Sequence, residues 1–255
     1  MKNIIAVLVL LLAPSFAHAV LVNGNFEVGL AGWSIMGDVL TVDSSFGVDT
    51  PQGHLQVLMT SAPDTAPYPP NGIGVPEHIQ SYSGTNSVSG FSSVFLFFDS
   101  PFVFGHPLGV GIFEWSGIKQ TFIANTDILL SFTWKCLTDE GTLEFGTVCE
   151  DSPGFEKPFY VIDGVANILN PSGAASVSPT PFRFESRYET TTLLLAAGTH
   201  TIGFGVGDVA DTWFNTGLLV DDISFRAVPE PATWLLFGIG LIVLAAVIKF
   251  RRSHR

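Results

Sequence analysis

Two runs set the character of this chain: Ile118-Lys119-Gln120-Thr121-Phe122-Ile123 and, after the break Ala124-Asn125-Thr126-Asp127, Ile128-Leu129-Leu130-Ser131-Phe132-Thr133-Trp134. Both are short, rich in β-branched, aromatic and leucine side chains, and divided by turn formers, which is the signature of strands. The same texture recurs at Trp33 to Val42, Leu55 to Met59, Phe91 to Phe98, Phe159 to Ile162, Thr190 to Leu195, Thr199 to Val206 and Leu218 to Phe225. Between the two hydrophobic ends no stretch keeps a helical period. Nine short strands with irregular loops predict a single all-β domain, an antiparallel two-sheet sandwich closed as a jelly roll.

The run Phe91 to Phe98 and its neighbour Phe102-Val103-Phe104 are too apolar for strands wetted on one side. Either both faces of that sheet are buried or some of the rings form an exposed platform, and burial is the commoner outcome. The segment Ala62 to His78 carries Pro63, Pro67, Pro69, Pro70 and Pro76. It is read as an irregular loop covering one end of the sandwich.

At the start, Met1-Lys2-Asn3 precedes ten apolar residues, Ile4 to Ala13, and Ala17-His18-Ala19 supplies small residues for a signal peptidase. Residues 1–19 are therefore a signal peptide, with cleavage after Ala19. The mature domain, 20–227, then folds in an oxidising compartment, where Cys136 and Cys149 predict one disulfide.

From Val20 to Val228 six Lys and Arg stand against 22 Asp and Glu, a net charge of −16. Such a surface excludes nucleic acid and anionic lipid as partners and suits divalent cations or neutral glycans, or simply keeps an exported protein soluble.

The chain ends on Pro229-Glu230-Pro231, an uncharged apolar run Ala232 to Ile248 and a basic tail, 249–255, holding Lys249, Arg251, Arg252 and Arg255. Seventeen residues of helix rise about 25 Å, near the lower end of what spans a bilayer. The cations place the tail in the cytoplasm and everything before it outside. This ending, residues 228–255, resembles the PEP-CTERM sorting signal of Gram-negative bacteria. The resemblance implies processing by exosortase, a membrane-embedded, cysteine-protease-like transpeptidase, at or near Pro229, Glu230 and Pro231, after transient anchoring in the inner membrane.

A second resemblance lies in the body. Val22-Asn23-Gly24-Asn25-Phe26-Glu27, followed by Gly32-Trp33, and Leu218-Leu219-Val220-Asp221-Asp222-Ile223-Ser224-Phe225 resemble the first and last segments of galactose-binding-like jelly rolls, including many carbohydrate-binding modules. In that fold the two meet in space. The resemblance implies a structural calcium between Glu27 and one of Asp221 or Asp222, only one of which can point at Glu27 along a regular strand. Calcium takes six to eight oxygens, and a hydrogen-bonded turn without metal is the competing reading. Asp139-Glu140, Glu150-Asp151 and Asp208 with Asp211 read as solvated turns.

No nucleophile elbow, zincin motif or phosphate-binding loop occurs. His54, His78, His106 and His200 stand alone in turn-like contexts and are expected to be exposed rather than catalytic. Trp33, Trp115, Trp134 and Trp213 would stack on sugars if exposed, but core positions are commoner. The expected function is architectural: an exported, non-catalytic protein of the cell surface or extracellular matrix. The alternatives are a carbohydrate-binding module for exopolysaccharide and a surface glycoside hydrolase with paired carboxylates.

Overall fold

A computed structural model of the chain describes residues 21–62, 81–85, 87–89, 112–139, 149, 157–209, 215–228 and 233–253. The strands are β1 (Ser34–Met36), β2 (Asp38–Val42), β3 (Gln56–Thr60), β4 (Val88–Ser89), β5 (Ile112–Ala124), β6 (Ile128–Thr138), β7 (Lys157–Ile162), β8 (Val165–Ile168), β9 (Ser176–Val177), β10 (Phe184–Glu185), β11 (Glu189–Leu195), β12 (Gly198–Val209) and β13 (Thr216–Ala227). A helix, α1 (Thr233–Ser253), follows.

Two antiparallel sheets face each other. The first has the order β1-β5-β12-β7-β8, with β4 also on β5, and the second β2-β3-β13-β6-β10-β9, with β11 also on β6. The all-β antiparallel sandwich expected from the sequence is what the described residues form. Eight of the nine expected strand segments lie within observed strands or overlap them, most of them extended at one or both ends. Phe91 to Phe98, Phe102 to Phe104 and Pro63 to His78 lie outside the described residues.

The segment Trp33 to Val42 is not one strand. It breaks at Gly37, where φ is +81°, so that β1 joins the first sheet and β2 the second. Ser116 on β5 fixes the crossing, its Oγ accepting the Asp38 N–H at 2.8 Å. A Cβ on Gly37 would collide with that same side chain. Glycine is needed there on both counts.

Strand alternation builds the core. Ile202, Phe204 and Val206 of β12, Ile118 and Phe122 of β5, Leu130, Phe132, Trp134 and Cys136 of β6, and Leu218 and Val220 of β13 form one buried cluster between the sheets. Rings link the layers, with centroids 4.8 Å apart for Phe132 and Phe204 and 6.3 Å for Trp33 and Phe204. Each fully buried ring of this kind contributes roughly 1.5–3 kcal/mol from area removed from water. Trp33, Trp115 and Trp134 are all buried, which is the core outcome, and Trp213 lies outside the described residues.

Trp115 and Phe159 alternate away from this core yet are fully buried, so the first sheet is covered on both faces at that end. A smaller cluster, Val42, Leu58, Leu137, Phe182 and Leu219, sits on the outer face of the second sheet, with Phe46 and Tyr82 against it. The segments after β2, before β4 and between β9 and β10 therefore act as a third, partial layer.

Cys136 and Cys149 form a disulfide, with Cα atoms 6.6 Å apart. It ties Cys149 to β6 within the core, the pairing expected in an oxidising compartment.

Candidate functional site: the clamp where the first and last segments meet

Asn23 organises the entry of the chain. Its Nδ2 donates to Gly29 O at 2.8 Å and to Ala31 O at 3.2 Å, while its Oδ1 accepts the Val28 N–H. Its own carbonyl accepts the Trp33 indole N–H at 3.2 Å. Asparagine suits this role because its amide closes turns on both sides and tolerates the positive φ of +54° found there. The loop so formed is bonded to both sheets. Gln120 on β5 accepts the Val22 N–H at 2.7 Å and donates to Val22 O and Gly32 O. Ile223 on β13 donates its N–H to Gly24 O at 3.0 Å. The first and last segments meet, as expected.

This meeting places two carboxylates on one loop. Glu27 Oε1 accepts the His54 and Leu55 N–H groups at 2.6 and 2.9 Å. Asp221 Oδ2 accepts the Gln52 N–H at 2.8 Å, and its Oδ1 accepts the Asp222 N–H at 2.7 Å. The turn from Gln52 to Leu55 is thus held from two sides, and Gly53 (φ +65°) stands where a Cβ would strike Glu27.

The two aspartates differ because β13 bulges. Pairing with β6 slips between Asp221 and Ser224, and Asp222 takes a φ of +50°. The inserted residue resets the alternation, so Val220 and Ile223 both face the core. Asp221 is the aspartate whose carboxylate meets the loop that Glu27 holds.

The electrostatics follow from burial. Asp221 is fully buried, and desolvation pushes its pKa up to about 6, with the charges of Asp222 and Glu27 adding to the rise and the N–H bonds from Gln52 and Asp222 opposing it. Glu27 is held below its ordinary value by the His54 and Leu55 N–H groups. Two carboxylates converge here, and among the described residues no group of three or more His, Cys, Asp or Glu is placed to hold a metal ion. A calcium at this position would draw its remaining oxygens from backbone carbonyls and water.

Polar side chains of the apolar strands anchor the rest of the surface. Lys135 pairs with Glu185 Oε1 at 2.9 Å and lies 4.6 Å from the Tyr188 ring centroid. Tyr188 donates to Asp49 O and Gln56 Oε1. Asp38, fully buried, accepts from Thr60 Oγ1 and from the N–H groups of Tyr82 and Ser83. Sequence reasoning missed these locks. The signal was present: Gln120, Lys135 and Asp38 are polar residues inside or beside apolar runs, and such residues need built partners.

His200 is neither isolated nor exposed. Its Nδ1 lies 2.7 Å from Asp163 Oδ2 and its Nε2 2.8 Å from Ala196 O, and only 12 % of its side chain is accessible. Burial works to lower its pKa, but the bonds to Asp163 and Ala196 and the Asp163 charge prevail and raise it. The pairing arises because Asp163 and Gly164 form the two-residue β7–β8 turn, with φ of +50° and +85°, which turns the carboxylate onto β12. His54 gives only its backbone N–H to the clamp, as above. His78, His106, Glu140, Glu150, Asp151 and Asp211 lie outside the described residues. Asp139 is not a solvated turn residue but buried, accepting the Arg183 N–H at 3.0 Å.

The C-terminal end begins where β13 stops. Val228 donates its N–H to Asp127 O at 2.9 Å, and α1 starts at Thr233. Among the described residues no helix is long and apolar enough to cross a membrane. Ala19 and the Pro229, Glu230 and Pro231 triplet lie outside the described residues.

Comparison with known proteins locates the ending. Residues 227–252 match the PEP-CTERM protein-sorting motif, so the chain carries a C-terminal sorting signal of that class. No curated protein matches the sequence. Among solved structures the chain is similar to TmCBM61 in complex with β-1,4-galactotriose, at 12% identity over 83% of this chain and 100% of that one, with a TM-score of 0.42. It is also similar to the K3 adhesin domain of Lys-gingipain from Porphyromonas gingivalis, at 13% identity over 82% and 99% with a TM-score of 0.40, and to a CBM4 structure, at 14% identity over 80% and 99% with a TM-score of 0.32.

Proposed function

We propose that this is an exported, non-catalytic protein of the cell surface or extracellular matrix, sorted by exosortase through its C-terminal signal. The observation that carries the reading is the match of residues 227–252 to the sorting motif. Residues 1–19 are the signal peptide removed after Ala19, 20–227 the ectodomain and 228–255 the sorting region. Residues 232–248 are proposed as the transient inner-membrane anchor on the strength of their uncharged apolar sequence inside the matched motif. Phe237, Leu241, Ile242, Val243 and Leu244 of α1 are all more than half exposed, and side chains of this kind around a helix find their natural solvent in lipid. Arg251 and Arg252 in its last turn keep that end in the cytoplasm.

Binding of exopolysaccharide is the second role proposed for the ectodomain, favoured over a glycoside hydrolase. The carboxylates that the fold brings together, Glu27 and Asp221, are both engaged by backbone N–H groups. A structural calcium held by Glu27 and Asp221 is also proposed, since the clamp gathers negative charge at one loop.

Replacing Pro229, Glu230 and Pro231 by alanine tests the sorting reading. The altered chain should accumulate full length in the membrane fraction, while the native chain reaches the surface in shortened form. Equal surface delivery of both would remove the motif from the account.

A further inference from the structure

The sorting motif begins at residue 227, yet β13 runs through Ala227 and Val228 is still bonded to Asp127. Fold and signal therefore share residues 227 and 228, and no spacer separates them. In the register of β13 on β6, Arg226 faces Leu129 and Ala227 faces Ile128. The last side chain that fastens the strand to the core is Phe225, whose ring centroid is 4.5 Å from that of Phe122. Arg226 and Ala227 are exposed and Val228 is half-buried, so beyond Phe225 the segment is held mainly by backbone pairing.

An enzyme that recognises an extended peptide does so by forming its own hydrogen bonds to that peptide's backbone. For Arg226–Val228 the groups on the inner edge of the strand are already paired with β6 and with Asp127. One residue spans at most about 3.6 Å, so an enzyme centred on Pro229 to Pro231 meets the folded edge almost at once. We infer that Arg226–Val228 is a latch: the sorting motif becomes fully available to its processing enzyme only when this segment unpairs from Asp127–Leu129. Opening of so short a terminal segment lies at the low end of local unfolding free energies, so pairing slows processing without blocking it.

This rests on the sorting reading, and the test separates the two. Processing of the full-length chain would be followed by pulse-chase in cells with and without exosortase, for the native chain, a chain with Gly-Ser-Gly-Ser inserted between Val228 and Pro229, and the pair Arg226→Cys with Leu129→Cys. Directly opposed antiparallel positions have Cα spacings that suit a disulfide. The insertion should speed exosortase-dependent shortening roughly fivefold and the cross-link slow it roughly tenfold. The pair Arg226→Ser with Leu129→Ser, which cannot cross-link, should be processed no more slowly than the native chain. Equal rates for native, inserted and cross-linked chains would overturn the latch while leaving sorting intact. A native chain that is never shortened by exosortase removes the sorting reading and the latch with it.

Discussion

Asp221 and Gln52 stand 169 residues apart in the chain, and the Asp221 carboxylate accepts the Gln52 N–H at 2.8 Å. Together with the grip of Glu27 on His54 and Leu55, this bond fixes the segment between β2 and β3 onto the last strand. Asp221→Ala leaves two part-buried backbone donors without their acceptor, at up to about 1–3 kcal/mol for each. A lower urea midpoint with an unchanged slope is the expected result. A midpoint equal to the native one would mean the clamp contributes nothing to folding.

Calcium, if it is held here, stabilises only the folded clamp. At a free concentration about 100 times its dissociation constant it would add about 2.7 kcal/mol. The melting temperature of the native chain should rise with calcium and return with chelator. Glu27→Gln and Asp221→Asn should each abolish the response, whereas a native chain indifferent to calcium would leave a purely hydrogen-bonded turn.

Stability without calcium should peak at mildly acidic pH. Burial raises Asp139 and Asp221 from 3.8 to about 6, so the folded state binds those protons more tightly, and their contribution is lost as pH rises through about 6. His200, raised above 6.5, contributes in the same sense and is lost above that value. Glu27 and Asp43, lowered from 4.5 and 3.8, contribute above those values and are lost as pH falls. The balance of these groups favours mildly acidic over alkaline pH. Thermal melts in chelator should give a higher transition at pH 5 than at pH 8, and Asp139→Asn should flatten the difference. A steady rise from pH 5 to 8 would contradict the assignment.

The disulfide closes a stretch with a sequence separation of 13, worth on the order of 3 kcal/mol. For a domain of this size its loss lowers the melting temperature by roughly 10 °C. Cys136→Ala with Cys149→Ala should show that drop, and a shift of a degree or less would mean the cross-link contributes little to stability.

The strands that were legible in the sequence are the ones that alternate. β6, β12 and β13 place Phe132, Phe204 and Val220 inward at a period that side chains alone reveal. What the sequence hid depends on partners far away in the chain. The crossing at Gly37 is set by Ser116, and the Asp222 bulge is visible only as a slip against β6. A strand read as regular would have left the choice between Asp221 and Asp222 open. β9 and β10 are two residues each, too short to carry a period. The pairing of His200 with Asp163 needed the β7–β8 hairpin, which brings the turn onto a strand 37 residues further along.

The most direct test of the central claim is the intact mass and terminal peptide map of the protein recovered from the cell surface and medium, in strains with and without exosortase. The account requires an N-terminus at Val20 and a C-terminus close to Glu230, the latter lost when exosortase is absent. A mature chain that keeps Ala232 to Arg255 in both strains would be a permanent inner-membrane protein, and the surface role proposed for its sandwich would be wrong.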